Sequence, residues 1–592
     1  MASRRRMIWT RAAVVAALMI SLPSLSSAQR GGGEEPYTPE PGATDLKSVM
    51  FNWAWHMGML RSTEEYDLLM SLVYEGTGTM QVGGQACNVS RYRSDISYQR
   101  SGERIRITGT RPNGQSCNTI EVLSGAYTWN EDVMGAELIP GVGTATPMPA
   151  TVEERMIRLW ANPQGAWKAA MAGTAYPNPP DMTGRPRELP EDVMAVSRTS
   201  VSWADGKPMV TFPIPGVPNA RATATLDSRF MAESVVVENG ADRYEFTYSD
   251  YRDWNNPLHP AEAFYAGTMT ERKNGTVVRD IRTTETETGQ MYVVVPVPAS
   301  VMAAITPTHQ PPQWTLRQRE GQPVEAVATP RRADGKPDLT GSWGRSPNPI
   351  TGSGSRRCAP TQVAGGGINP EFGCTGGSDN FFVDYAWISP SRFGILGHPT
   401  YKPEHWDRIQ ELDMWTNKYD PIMTCKPIGI PRHGTPQRII QTDYDVIFFY
   451  GANADYGGGN NEYRDIPIDG RELTTQQLNL SAFYGQSVGH WEGDTLVIES
   501  INFDDSTWFG RGGFFHSGRM RTIERLTRVG NELHYDMTIE DPEVLIEPWV
   551  MPTRVLALSD NKLVMAERAE ELRRDRPSRA VSAVDHDSVR VT

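Results

Sequence analysis

Apolar residues recur along the chain mostly in short alternating runs, and only a few stretches show the three-to-four spacing of an amphipathic helix. The first helical stretch begins at Asp45 and places Val49, Met50, Trp53, Met57 and Leu60 on one face, with 64–72 continuing it. Alternation then predicts strands over 104–108, 119–123 and 126–129. Thr151-Val152-Glu153-Glu154 has the form of a capping box, in which the Thr hydroxyl and the Glu carboxylate take up free backbone N–H groups at a helix start. The helix it opens carries Met156, Leu159 and Trp160 on its apolar side. Strand patterns return over 208–212, 222–226, 234–237, 244–248 and 291–295.

The stretch 296–330 is rich in Pro, Gln, Thr and Ala, includes Gln310-Pro311-Pro312, and keeps no period, as a linker does. Beyond it, Gly341-Ser342-Trp343 opens a second series. It holds a helix over 403–415 and strands over 446–450, 495–499, 532–539, 554–558 and 562–567. Trp491-Glu492-Gly493-Asp494-Thr495 reads as a hairpin with Gly493 and Asp494 in the turn, and Asp469-Gly470 as a second such turn. At 592 residues the chain exceeds what one core commonly serves. The expected organisation is therefore a first α+β domain at 44–300, a linker at 301–330, a second β domain at 331–570 and a charged tail at 571–592. With 54 Gly and 44 Pro, the fold class expected is mostly β with minor α.

The amino terminus changes the picture of where this chain works. Arg4, Arg5, Arg6 and Arg11 precede an apolar run over 12–22, and Ser26-Ser27-Ala28 supplies small residues for cleavage before Gln29. Residues 1–28 thus read as a signal peptide, Sec-type or twin-arginine, and 29–43 as a flexible leader, which places the mature protein in the periplasm or outside the cell. Losing the four Arg of 1–28 takes the formal charge from -13 to -17, which disfavours nucleic acid as a partner. No later segment is apolar and long enough to form a transmembrane helix. In an oxidising compartment, Cys87 with Cys117 and Cys358 with Cys374 read as local disulfides, leaving Cys425 over. A CxxC motif and zinc spacing are absent.

Two resemblances bear on function. Helices followed by an Arg-, Tyr- and Trp-rich meander resemble, in pattern, the half-barrel of outer-membrane lipoprotein carriers. The second domain carries a series of phrases: Asp334-Gly335-Lys336-Pro337-Asp338-Leu339-Thr340-Gly341-Ser342-Trp343, then Tyr419-Asp420-Pro421, then Cys425-Lys426-Pro427-Ile428-Gly429-Ile430-Pro431-Arg432. Gly489-His490-Trp491-Glu492-Gly493-Asp494, Asn502-Phe503 through Thr507-Trp508, Phe515-His516-Ser517, Glu524-Arg525 and Asp541-Pro542 follow. Over about 331–550 this series resembles a family of exported bacterial proteins whose members often open with the phrase DGKPDLSGxW. The resemblance implies export and brings no reaction with it. Members often end on a Cys-containing strand, whereas Leu563-Val564-Met565-Ala566-Glu567 here holds no partner for Cys425.

Gly-x-Trp on a first strand followed by antiparallel strands is how a lipocalin-like barrel opens, with the Trp plugging its base beneath a cavity. Such a cavity suits one small apolar or aromatic molecule, which is the expected partner. Polar chemistry concentrates in one stretch, where a Gly-containing loop lets Asp505 and His516 meet across a hairpin. Arg432, Trp491, Asn502, Asp504, Trp508, Ser517 and Glu524 are the candidate binding residues around it. On a second reading the protein is a cofactor-independent lyase, hydratase or isomerase. His516 is then the acid/base, Asp505 its orienter, and Arg525 or Arg432 the anion stabiliser. On the plainest reading Arg432, Glu524 and Arg525 are partners that tie loops to a barrel. His398, His405 and His433, with Asp384 and Asp413, fit no zinc pattern, and Gly457-Gly458-Gly459 precedes no helix. Neither metal nor cofactor is expected.

Overall fold

The computed structural model describes residues 43–58, 71–98, 101–173, 198–254, 264–288, 292–307, 327–343, 399–414, 416–424, 426–450, 462–473, 482–510, 512–551 and 553–559. The expected signal peptide, Cys358, Cys374, Cys425, His398, Asp384, the Gly457–Gly459 stretch, the strand expected over 562–567 and the charged tail lie outside these residues.

The alternating segments form two large antiparallel sheets. In the first, of thirteen strands, the opening strand Ser71–Val82 pairs with the closing strand Thr276–Thr288. From that central pair, sequence order runs outward both ways, ending at Ala145–Pro147 on one edge and Ser200–Ala204 on the other. The inner face of the sheet packs on the helices Leu46–His56, Val152–Ala161 and Pro163–Ala172. One core cluster joins Trp53, Trp160 and Trp167 from the helices to Ile105 and Ile107 on one half of the sheet and Ala222 and Val235 on the other. This explains why Pro163–Ala172 is buried almost along its whole length: sheet and helix cover it together. Trp167 Nε1 donates to the Met50 carbonyl at 2.9 Å, tying two of the helices. Asp45 caps the first helix by accepting from Ser48 N at 3.0 Å, as its position before an apolar run suggests.

Four local expectations are corrected. Thr151 makes no side-chain cap; its hydroxyl donates to the Met148 carbonyl at 2.9 Å, and Glu154 turns to Lys273 at 2.8 Å. Ser71 and Leu72 belong to a strand rather than to a continued helix, and 292–295 joins no strand among the described residues. The stretch read as linker also starts with a packed helix, Ala299–Ala304, whose Val301 joins Ile305 against Val122 and Trp129. Cys87 and Cys117 form a disulfide with Cα atoms 6.1 Å apart.

The second sheet has ten strands and curls into a nearly closed barrel. Its edge strands, Glu462–Pro467 and Gln486–Glu492, are bridged by Arg464, whose Nη2 donates to Ser487 Oγ at 2.9 Å. Side chains fill the interior: Phe448, Ile466, Leu496, Ile498, Leu526, Leu533, Met537 and Leu556 are all buried. Amid them lies an ion pair, Arg464 Nη2 to Glu524 Oε1 at 2.7 Å, supported by the Tyr535 hydroxyl on Glu524 Oε2 at 2.7 Å. Trp343 is buried at one end with its Nε1 on the Leu339 carbonyl at 3.1 Å and the Arg528 guanidinium 5.2 Å from its ring centroid.

The helix Trp406–Met414 lies between the two sheets. Asp407 receives both terminal nitrogens of Arg106 at 2.7 Å, and Gln410 accepts from Arg93, both arginines standing on strands of the first sheet. Arg104 lies 4.6 Å from the Trp406 ring centroid. On its other side the helix meets a small hairpin, Trp508–Gly510 with Phe514–Phe515, that emerges from the second barrel.

Candidate functional site

This hairpin occupies the connection between the strands Thr495–Ile501 and Arg521–Val529, at the barrel end away from Trp343. Gly513 sets how close it comes to the helix. At φ +81°, a Cβ there would lie 2.5 Å from the Ile409 carbonyl oxygen and 2.8 Å from Leu412 Cβ, so only glycine allows the approach. Tyr401 locks the contact by donating its hydroxyl to the Phe515 carbonyl.

A cleft of about 630 Å³ opens between these elements. One wall is His405, Arg408, Lys418, Tyr419, Pro421 and Lys426; the other is Asp505, Ser506, Trp508, Phe515, His516 and Ser517, with Glu543 and Val544 at one side. Trp508 and Phe515 face each other across the hairpin register. The Arg408 guanidinium stacks 4.1 Å from the Phe515 centroid, and His405 meets the same ring edge-on at 5.4 Å.

The first wall is anchored from beneath. Asp420, directly after Tyr419, receives Arg432 Nη1 at 2.7 Å and Nη2 at 2.6 Å, with both side chains buried. Gly429, at φ +74°, lies against Thr507, where a Cβ would stand 3.3 Å from the hydroxyl. Asp541 braces the other wall by accepting from Ser517 N and Ser517 Oγ, each at 2.7 Å. Residues from five of the phrases picked out in the sequence therefore surround one cleft: 419–421, 425–432, 502–508, 515–517 and 541–542.

His516 is 3% exposed. Its Nδ1 lies 2.9 Å from the Ser517 carbonyl, which can only accept, so Nδ1 carries the proton. Nε2 lies 2.6 Å from the Thr507 hydroxyl, whose single proton is also within reach of the Asp504 carbonyl at 3.1 Å; in the neutral ring the shorter contact to Nε2 takes it. Burial holds the imidazole below its usual range, against the smaller opposing pull of the Ser517 carbonyl and of Asp541. Phe509 stacks on the ring at 5.5 Å.

Four of the residues anticipated from the sequence come together here: Asp505, Trp508, His516 and Ser517. Asp505 and His516 share the cleft, yet the hydrogen bonds of the ring go to Thr507 and Ser517, so Asp505 is not its orienter. Asn502 and Asp504 shape the approach. Asn502 takes φ 62°, and Asp504 accepts from Ser506 N at 2.9 Å. The others stand elsewhere. Arg525 is on the barrel exterior with Glu492 at 2.7 Å, Glu524 is inside the barrel, and Lys336 Nζ sits 5.7 Å from the Trp491 centroid. Arg432 supports the wall without lining it.

Arg408, Lys418 and Glu543 were not anticipated, and Tyr419 and Lys426 stood in the quoted phrases with no role assigned to them. They carry no local spacing signal, and only the docking of the helix on the hairpin brings them together. This cleft lies at the end of the barrel, whose interior holds buried apolar side chains. Among the described residues, no group of His, Cys, Asp and Glu is placed to hold a metal ion, and no helix is long and apolar enough to cross a membrane.

No protein-family model and no curated protein matches this chain. Among solved structures, it is similar to the crystal structure of a LolA superfamily protein from Nitrosomonas europaea, at 9% identity and a TM-score of 0.22, over 42% of this chain and 94% of that one.

Proposed function

We propose that this is an exported protein that binds a small aromatic or apolar molecule in the cleft between the Trp406–Met414 helix and the Trp508–Phe515 hairpin. The observation that carries the reading is the cleft itself. Its volume of about 630 Å³ suits one small molecule, and Tyr419 offers it exposed aromatic surface beside the mostly buried rings of Trp508 and Phe515. Export is supported by the basic start, apolar run and Ser-x-Ala site of residues 1–28 and by the Cys87–Cys117 disulfide.

Binding is favoured over acid/base catalysis because both nitrogens of the one imidazole on the hairpin wall are already engaged, and no carboxylate orients it. The lyase, hydratase or isomerase reading keeps one supporting fact, the shared cleft of Asp505 and His516.

The test is a fluorescence titration with N-phenyl-1-naphthylamine, a neutral arene that brightens on leaving water. Wild type should bind it saturably, and Tyr419→Ala should weaken binding with little change in melting temperature, since Tyr419 stands at the surface, 38% exposed. Absence of saturable binding, or identical titrations for the two proteins, would sink the proposal.

A further inference from the structure

We infer that the molecule taken by this cleft is an aromatic oxyanion, with its ring against Tyr419 and the aromatic side of the cleft and its charged end toward Arg408, Lys418 and Lys426. The inference rests on the cleft being the binding site proposed above. It follows from the charges facing the cavity. Three cations line it, against two carboxylates, Asp505 and Glu543. Glu543 is already engaged by Arg519 Nε at 3.3 Å, a residue outside the lining. None of the three cations forms an ion pair among the described residues. Arg408 lies on Phe515, and Lys418 Nζ donates to the Tyr419 hydroxyl at 3.0 Å. Positive charge therefore remains in excess here, on a chain whose formal net charge is -13.

By contrast, two buried arginines are each neutralised closely by a carboxylate, Arg432 by Asp420 and Arg464 by Glu524. A guanidinium held over an aromatic ring without a carboxylate partner keeps N–H donors for a planar oxyanion, which a lysine ammonium supplements as a point charge. The aromatic wall and the cations occupy one cavity, so a single ligand can meet both. Carboxylate and phosphate share this chemistry.

The experiment is calorimetric titration of the folded mature protein with three probes of one ring size: 2-naphthoate, 2-naphthyl phosphate and neutral 2-naphthamide. The expected result is that at least one anion binds roughly tenfold or more tighter than the amide at low salt, as charge-assisted hydrogen bonds require. The tighter of the two identifies the oxyanion, and its advantage should shrink as salt is raised. Arg408→Gln with Lys426→Gln should collapse the ratio between anion and amide, with the melting temperature confirming a folded variant. If the amide binds as well as both anions, or the double variant leaves the ratio intact, the inference is overturned while aromatic binding stands. If none of the three binds, both fall together.

Discussion

The Thr507 hydroxyl lies 2.6 Å from Nε2 of His516, across the turn that leads into the hairpin. With Nδ1 committed to the Ser517 carbonyl, this contact completes the hydrogen bonding of a buried, neutral imidazole. Thr507→Val removes the donor and keeps the shape, so it leaves Nε2 unsatisfied. The expected cost is about 1–3 kcal/mol, read from urea unfolding. An unchanged midpoint would mean that the pair does not hold the turn.

Protonation of the same ring gives a pH signature. Its pKa in the folded state lies below the unfolded value of 6.5, because burial disfavours the cation. Below pH 6.5 the unfolded chain takes up the proton first, so stability present above that pH falls as the solution is acidified, until the folded pKa is passed. His516→Gln has no such group. The difference in melting temperature between wild type and variant should therefore shrink between pH 7.5 and pH 5.5. A difference constant with pH would contradict a buried neutral histidine.

Inside the barrel, Glu524 is the countercharge of Arg464, and both are almost fully buried. Glu524→Gln strands the guanidinium in an apolar interior, with an expected loss of about 3–5 kcal/mol. Replacing both residues by apolar ones, Glu524→Leu with Arg464→Met, should cost less than the single change. Chemical unfolding of the three proteins decides this, and an equal or greater loss in the double variant would count against the pair as the cause.

The Cys87–Cys117 bridge closes a loop with a sequence separation of 30. In the chain-entropy account, replacing both cysteines by serine should cost roughly 3–4 kcal/mol. Peptide mapping without reductant should recover the linked pair from exported protein, and free thiols at both positions would remove the basis of the prediction.

Gly513→Ala tests how the cleft is built. The new methyl meets the Ile409 carbonyl oxygen at 2.5 Å and takes a left-handed backbone, together worth roughly 2–4 kcal/mol. The hairpin must shift away from the helix, so arene binding should weaken along with stability. Retained binding at wild-type affinity would show that the cleft does not depend on this approach.

Much of the fold was legible in local pattern, and the exceptions share a cause. The strands 222–226 and 532–539 read correctly because each buries alternate residues on one face. The Gly493-Asp494 turn read correctly because two paired strands meet at it. Thr151 misled because another acceptor, the Met148 carbonyl, lay within reach of its hydroxyl. Val301 and Ile305 in the supposed linker are too few to make a period, yet enough to bury against Trp129. At the site, His516, Trp508 and Ser517 stood out because they cluster within one short segment. The opposing wall lies about a hundred residues away in sequence, and exposed Lys418 and Lys426 carry no pattern of their own. Arg525 drew notice by its neighbours in a phrase, but on a strand adjacent residues point to opposite faces, so Glu524 turns in while Arg525 turns out.

The helix Trp406–Met414 takes its footing from Arg93 and Arg106 on the other sheet, while it carries one jaw of the cleft. The cavity is thus gripped by parts drawn from both halves of the chain, much as a vice needs both its fixed frame and its sliding block. A fragment starting at residue 331 would keep every residue that lines the cleft and still lack the frame that sets the gap. Removing the first sheet is then expected to loosen the grip without touching a single lining side chain.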